Sequence, residues 1–173
     1  MHRVIQYTIF FAVVVLLQVF LFNNLNLSIF INPLVYVGFI VLLPMETRPL
    51  AMVVLGFVTG MSFDLLTGAA GLNTAATLVT TYSRRGVLML MIGKETVSEG
   101  GIPCARVLGG RRFLRYAAMV VLVQCIVIFT LETLNFRYFH YTLLKIALST
   151  AVTTMLIYFV QMLLPGSYAK RSF

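Results

Sequence analysis

Residues 56–73 read GFVTGMSFDLLTGAAGLN and place one carboxylate, Asp64, inside strongly apolar sequence. An ionisable side chain in such a setting is costly, so it needs a partner or a function. At helical i, i+4 spacing the acid shares one stripe with three small residues, Gly56, Gly60 and Gly68, which allow another helix to approach closely. We therefore expect this stripe, together with Asn73, to form a groove that holds helices together or receives a partner.

The composition is that of a protein embedded in lipid. Of the 173 residues, 60% are hydrophobic and 10% are charged, and the mean hydropathy is +0.97. Soluble domains carry about 25% charged residues. The net charge of +8 would indicate nucleic-acid binding only if the basic residues alternated with stacking aromatic residues on one soluble face, and they do not. The sequence predicts an all-α integral membrane protein that binds no nucleic acid.

Six apolar runs are candidates for membrane-spanning helices in a single domain, residues 1–173. They cover residues 4–22, 29–43, 50–63, 72–92, 113–134 and 142–164. The first approaches the length of about 20 residues that spans a bilayer, and no cleavage signature follows it, so we expect a retained helix. The second and third runs are short and are interrupted by prolines, which predicts helices that are either tilted and extended by flanking residues or partly re-entrant. A re-entrant pair would have to lie inside the bundle, because lipid cannot satisfy non-helical backbone.

The basic residues indicate the orientation of these helices. Cytoplasmic loops of membrane proteins carry an excess of Lys and Arg. A six-span chain with both termini in the cytoplasm places eleven of the 13 basic residues on the inside, the exceptions being Arg137 and Lys145. The pattern therefore predicts that both termini are cytoplasmic.

The longest polar segment, residues 93–115, is predicted to be a basic cytoplasmic loop. One interpretation is a site that docks a cytosolic partner through four arginines, Arg106, Arg111, Arg112 and Arg115. The other is a connector whose cations lie near anionic lipid headgroups, each worth about 1 kcal/mol there. The sequence leaves both interpretations open.

Polar residues within the predicted helices fall on single helical faces. The stripes are Asn73, Thr77, Thr81 and Arg84; Gln124, Ile128 and Glu132; and Thr142, Lys145, Ser149 and Thr153. Glu132 and Lys145 are placed to pair near the outer side of a helical hairpin, and Lys145 or Arg137 are candidate counter-ions for Asp64. The stripes are either seams where helices pack or the lining of an outward polar cavity for a small ligand or a partner segment.

The sequence offers no catalytic or metal-binding constellation. It contains two histidines and five acidic residues, too few and too scattered for a metal cluster. No nucleophile, base and orienting group can be assembled from neighbouring motifs. We expect no metal, no cofactor and no enzymatic activity.

Several short elements, in this order and spacing, resemble the family of rod shape-determining protein MreD. They are an uncleaved first helix, Asn23-Asn24, Asn32-Pro33, residues 60–64 (GMSFD) and residues 71–73 (GLN). The resemblance runs over essentially the whole chain. The segment with residues 93–95 (GKE) and 100–103 (GGIP) is similar to the Bacteroidetes branch of that family.

The resemblance implies a non-enzymatic subunit of the bacterial inner membrane that acts in cell elongation and cell shape. Members of the family bind the single-span protein MreC and connect the actin-like MreB filament to the peptidoglycan synthases. The family is also similar in fold to the substrate-capturing S components of energy-coupling-factor vitamin transporters, six helices around an outward pocket. A substrate-capturing transporter subunit is therefore the alternative function. Against it, Ala12 lacks the second small residue of an Ala-x-x-x-Ala docking pair.

Overall fold

The computed structural model describes residues 34–132 and 139–163, and within these ranges it is helical without strands. The helices are α1 (Val37–Val41), α2 (Pro49–Thr67), α3 (Leu72–Met91), α4 (Lys94–Ser98), α5 (Ala105–Leu108), α6 (Gly110–Glu132) and α7 (Phe139–Leu163). The predicted all-α class is confirmed for this part of the chain.

Three helices in the described ranges are long and apolar enough to cross a membrane: Pro49–Thr67, Gly110–Glu132 and Tyr141–Met162. The 20 residues of α3 also suffice for a length of about 30 Å, but its threonines and arginines make it more polar. Because α3 packs between α2 and α6, several of these polar side chains are buried against protein. The first predicted segment, residues 4–22, lies outside the described residues, so the total of six spans stays a prediction.

Helix α2 is longer than the apolar run that predicted it. The run covers residues 50–63, whereas the helix continues to Thr67 and ends at Gly68, whose φ of 68° is left-handed. Ser62 does not end the helix, because its hydroxyl donates to the carbonyl of Val58 at 2.7 Å. Asp64 does not end it either, because its carboxylate faces α3. The third segment is therefore not short, and the alternative in which flanking residues extend it is confirmed.

The described part of the second predicted segment contains only the five-residue helix α1. All five of its residues are buried. It packs against α3 and α6, and α7 approaches so closely that a Cβ built on Gly38 would lie 3.1 Å from Ile157. The backbone N–H of Leu34, just before α1, donates to the hydroxyl of Thr153 on α7 at 3.1 Å. This short backbone segment is therefore surrounded by protein, as a lipid environment requires.

The four long helices pack in chain order, α2 against α3, α3 against α6 and α6 against α7. Two loop contacts gather one end of this bundle. Met45 N–H donates to the carbonyl of Gly101 at 2.9 Å, and Ala105 N–H donates to Oε1 of Gln161 at 2.9 Å. We call this the basic end, defined by exposed Arg48, Lys94, Arg106, Arg111 and Arg112. Its assignment to the cytoplasm stays a prediction.

The segment predicted to be a loop at residues 93–115 is partly helical. It contains α4 and α5, and α6 already begins at Gly110. Arg111, Arg112 and Arg115 therefore belong to the first turns of α6, while Arg106 belongs to α5. All four arginines are exposed, so they are available to a partner or to lipid headgroups.

Two glycines set the close approach of α2 to α3. A Cβ built on Gly60 would lie 2.6 Å from the backbone Cα of Thr74, and one built on Gly56 would overlap the hydroxyl of Thr81. The obstacle at Gly60 is backbone, which cannot rotate away as a side chain can. The helices must therefore move apart to admit even a methyl group at this position.

We expect Gly60→Ala to lower stability by about 1–3 kcal/mol, because overpacking forces a shift of the backbone. Gly86→Ala is the matched control, since a Cβ at Gly86 in α3 meets nothing within 4 Å. The control should be neutral or slightly stabilising, because alanine favours helix over glycine. The measurement is the temperature at which half of the detergent-solubilised protein loses its monodisperse size-exclusion peak. Equal midpoints for the two variants would contradict the close approach.

Candidate functional site

Asp64 is buried, with 6% of its surface exposed, and its carboxylate binds the first turn of α3. Oδ1 accepts hydrogen bonds from Asn73, from the backbone N–H at 3.1 Å and from Nδ2 at 2.9 Å. Oδ2 accepts from Thr74, from the backbone N–H at 2.8 Å and from the hydroxyl at 2.5 Å. Asp64 thus caps the N-terminus of the helix that follows its own.

The capping arrangement explains why the carboxylate is tolerated there. The first N–H groups of a helix lack partners within the helix and carry partial positive charge, so they favour an anion. The residue at the N-cap position, Gly71, has no side chain to supply this function. Asp64 supplies it from the preceding helix, and hydrogen bonds to a charged group contribute about 1.5–3 kcal/mol each.

The structure does not bring Lys145 to Asp64. Instead, Nζ of Lys145 lies 3.1 Å from Oε2 of Glu132 and 4.4 Å from the centre of the Phe129 ring. The Lys145 and Glu132 side chains are 28% and 33% exposed, so this pair is partly solvated and contributes little stability. The other candidate counter-ion, Arg137, lies outside the described residues.

Tyr36 connects the Asp64 cap to the centre of the bundle. Its fully buried hydroxyl donates to Oδ1 of Asn73 at 3.1 Å and accepts from Nε2 of Gln124 at 2.9 Å. Its ring stacks on Phe63 of α2 with ring centroids 4.5 Å apart. Donors and acceptors therefore run in one direction, from Gln124 through Tyr36 and Asn73 to Asp64. This chain of hydrogen bonds joins α6, the turn before α1, α3 and α2.

Arg84 forms a second buried polar centre, nearer the basic end. Its side chain is 1% exposed, and Nε donates to the hydroxyl of Tyr116 at 2.8 Å. One terminal nitrogen donates to the carbonyls of Val41 and Leu43, and the Tyr116 hydroxyl also donates to Val41 at 3.1 Å. The guanidinium thus binds carbonyls at the C-terminal end of α1, where helices carry partial negative charge.

The predicted site residues are therefore separated into three places. Gly56, Gly60, Asp64 and Asn73 lie in the α2–α3 contact, whereas Gly68 is exposed and forms the left-handed end of α2. Glu132 and Lys145 meet at the α6–α7 hairpin. The four arginines lie on exposed surface at α5 and α6.

Sequence reasoning did not identify Tyr36 and Tyr116 as polar residues of this site. Both lie in apolar runs, where tyrosine is easily counted with the hydrophobic residues. The signal for Arg84 was present, since it shares a helical stripe with Asn73, Thr77 and Thr81, and all four are buried. Gln124 was likewise placed on a polar stripe of α6.

The chemistry of this site is that of holding helices together. Most of its polar side chains bond to one another or to helix ends, whereas the buried amide oxygen of Gln124 has no hydrogen-bond partner among the described residues. No cluster of three or more His, Cys, Asp or Glu residues suited to a metal ion occurs in residues 34–132 and 139–163. No protein-family model, no curated protein and no solved structure matches the chain.

We expect Asp64→Asn to destabilise the protein by about 1–3 kcal/mol, because the new amide N–H₂ leaves a buried donor of Asn73 or Thr74 without an acceptor. Lys145→Gln should cost less than about 1 kcal/mol, since its ion pair is partly exposed. The measurement is resistance to unfolding in mixed micelles. If Asp64 depended on a cation at Lys145, the lysine variant would be as unstable as the aspartate variant.

Arg84→Gln should also destabilise the protein, because a buried carbonyl left without a donor costs about 1–3 kcal/mol. The neighbouring Arg85 is exposed, so Arg85→Gln removes the same charge and should change stability by less than about 0.5 kcal/mol. Limited proteolysis of both variants in detergent measures the difference. Equal cleavage rates would show that the contacts of Arg84 with α1 are dispensable.

Proposed function

We propose that this chain is a non-enzymatic scaffold subunit of the bacterial inner membrane that acts in the cell-elongation complex. In this role it binds a single-span, MreC-like protein and couples a cytoplasmic MreB-like filament to peptidoglycan synthesis, which regulates cell shape. The resemblance of its motifs to the MreD family supplies the biological setting. The geometry supplies the argument for a scaffold.

The observation that carries the proposal is the Asp64 cap. An acid that bound a ligand or took part in catalysis would keep an oxygen available, whereas both carboxylate oxygens of Asp64 accept two hydrogen bonds from α3. Asn73, Tyr36 and the amide nitrogen of Gln124 are likewise hydrogen-bonded to one another. This favours a rigid bundle that presents its outer surfaces over a substrate-capturing subunit with an open polar pocket.

The proposed partner surface is the outer face of α2. Because α3 fills the glycine stripe of α2, a partner helix would contact the opposite side. That side exposes a set of large apolar residues: Val54, Phe57, Val58, Met61 and Leu65. The exposed arginines of α5 and α6, Arg106, Arg111, Arg112 and Arg115, would form a second contact, on the cytoplasmic side.

Mass spectrometry of proteins that co-purify with the tagged chain from its native membrane, after gentle detergent extraction, tests the proposal. We expect a single-span MreC-like protein together with wall synthases. Recovery of ATP-hydrolysing transporter subunits would overturn the proposal and favour the substrate-capturing alternative.

A pair of charge variants tests the second contact. Replacing Arg106 and Arg112 by Gln should reduce recovery of the partners while the other basic residues preserve the orientation of the chain. Replacing Arg48 and Arg85 by Gln removes the same charge from exposed positions outside α5 and α6 and should leave recovery unchanged. Equal losses from both double variants would indicate a general charge effect and not a docking site.

A further inference from the structure

A surface groove with a volume of about 850 Å³ runs between α6 and α7. Its lining is almost entirely apolar, with small residues, Ala118, Ala147 and Ala151, along its length. Arg111 lines one end, where α6 begins. The groove is separate from the Asp64 and Arg84 centres.

The length of the groove matches one leaflet of a bilayer. On α6 it extends from Gly110 to Leu122, and on α7 from Ala147 to Phe159. Twelve residue steps of helix at 1.5 Å each measure about 18 Å, whereas the hydrocarbon core is about 30 Å thick, or about 15 Å per leaflet. A seam that received a membrane-spanning helix would extend through both leaflets. The dimensions therefore suit a lipid acyl chain better than a transmembrane segment.

The polar groups of the groove suit a phospholipid headgroup. Arg111 is exposed at the basic end, beside the first N–H groups of α6, which favour an anion. Deeper in the groove, the hydroxyl of Thr154 is buried and has no hydrogen-bond partner among the residues that the structure describes. Thr154 is also one of the few polar residues that line the groove.

We infer that the groove binds an anionic phospholipid, with an acyl chain between α6 and α7 and the phosphate at Arg111. The site recognises the combination of negative charge and a hydrocarbon chain one leaflet long. The acyl-chain part of this site lies between α6 and α7, away from the outer face of α2 that is proposed above as the main partner surface. Arg111 belongs to both the lipid site and the proposed second contact, so the lipid site is tested without the partner.

The test uses the full chain in phosphatidylcholine liposomes that contain a trace of phosphatidylglycerol with a photoreactive group in its acyl chain. After irradiation, peptide mapping should find the label concentrated in residues 110–122 and 147–159. Ala151→Phe, which fills the groove from an exposed position, should remove most of this label. Leu148→Phe adds a similar ring at an exposed α7 position outside the groove and should leave the label unchanged.

A second comparison tests the headgroup. One cation near a membrane surface is worth about 1 kcal/mol, so Arg111→Gln should reduce labelling about fivefold. Arg112→Gln removes the same charge from a position that does not line the groove and should have little effect. All four positions are exposed, and a monodisperse size-exclusion peak confirms that each variant is folded.

Three outcomes would overturn the inference. Label spread evenly over the exposed faces of α2, α6 and α7 would indicate ordinary surrounding lipid. Equal labelling by a phosphatidylcholine probe with the same chain would exclude recognition of the charge. Absence of label from the groove, together with cross-links between copies at residue 151, would show that a second copy of the chain occupies it.

Discussion

The buried carboxylate of Asp64 on α2 needs hydrogen-bond donors from the protein in place of water. The groups that supply and support these donors lie on α3, on the turn before α1 and on α6. The donors to the carboxylate are in the first turn of α3, which fixes that helix against α2. Asn73 can serve the carboxylate with its amide N–H₂ because its amide oxygen is occupied by Tyr36. Tyr36 is in turn held by Gln124 of α6. Close glycine contacts between α2 and α3 make the short distances attainable.

Arg84 is a buried cation, and like the buried anion of Asp64 it is stabilised by the end of a helix. A buried cation lies against the C-terminal carbonyls of α1, as the buried anion lies against the N-terminal N–H groups of α3. Each charge therefore meets the helix end of complementary partial charge, without a direct ion pair between the two. The hydrogen bonds to Tyr116 and Tyr36 tie both centres to the core of the bundle.

Because Asp64 and Arg84 are buried and bonded within the protein, a binding partner would contact other residues, on the outer surface. The buried charges of Asp64 and Arg84 are engaged in structure. The surface of the described residues offers a partner apolar helix faces and, at the basic end, exposed arginines. An apolar face can contact a partner helix, and an apolar groove with an arginine at one end can hold a lipid. Both roles require a bundle that keeps its shape, which the two buried centres supply.

The sequence by itself determined the helical class, most helix positions and the buried faces, because apolar runs and 3.6-residue periodicity are local signals. It also placed Glu132 and Lys145 together, since a helical hairpin brings residues on either side of its turn into contact. Only the tertiary structure decided that Asp64 binds a helix end and not a cation, that α2 extends to Thr67, and that Tyr36 and Tyr116 are polar links. The reason is physical: burial determines the need for a partner, whereas the identity of the partner depends on which donors the packed helices bring within 3 Å or so of the charge.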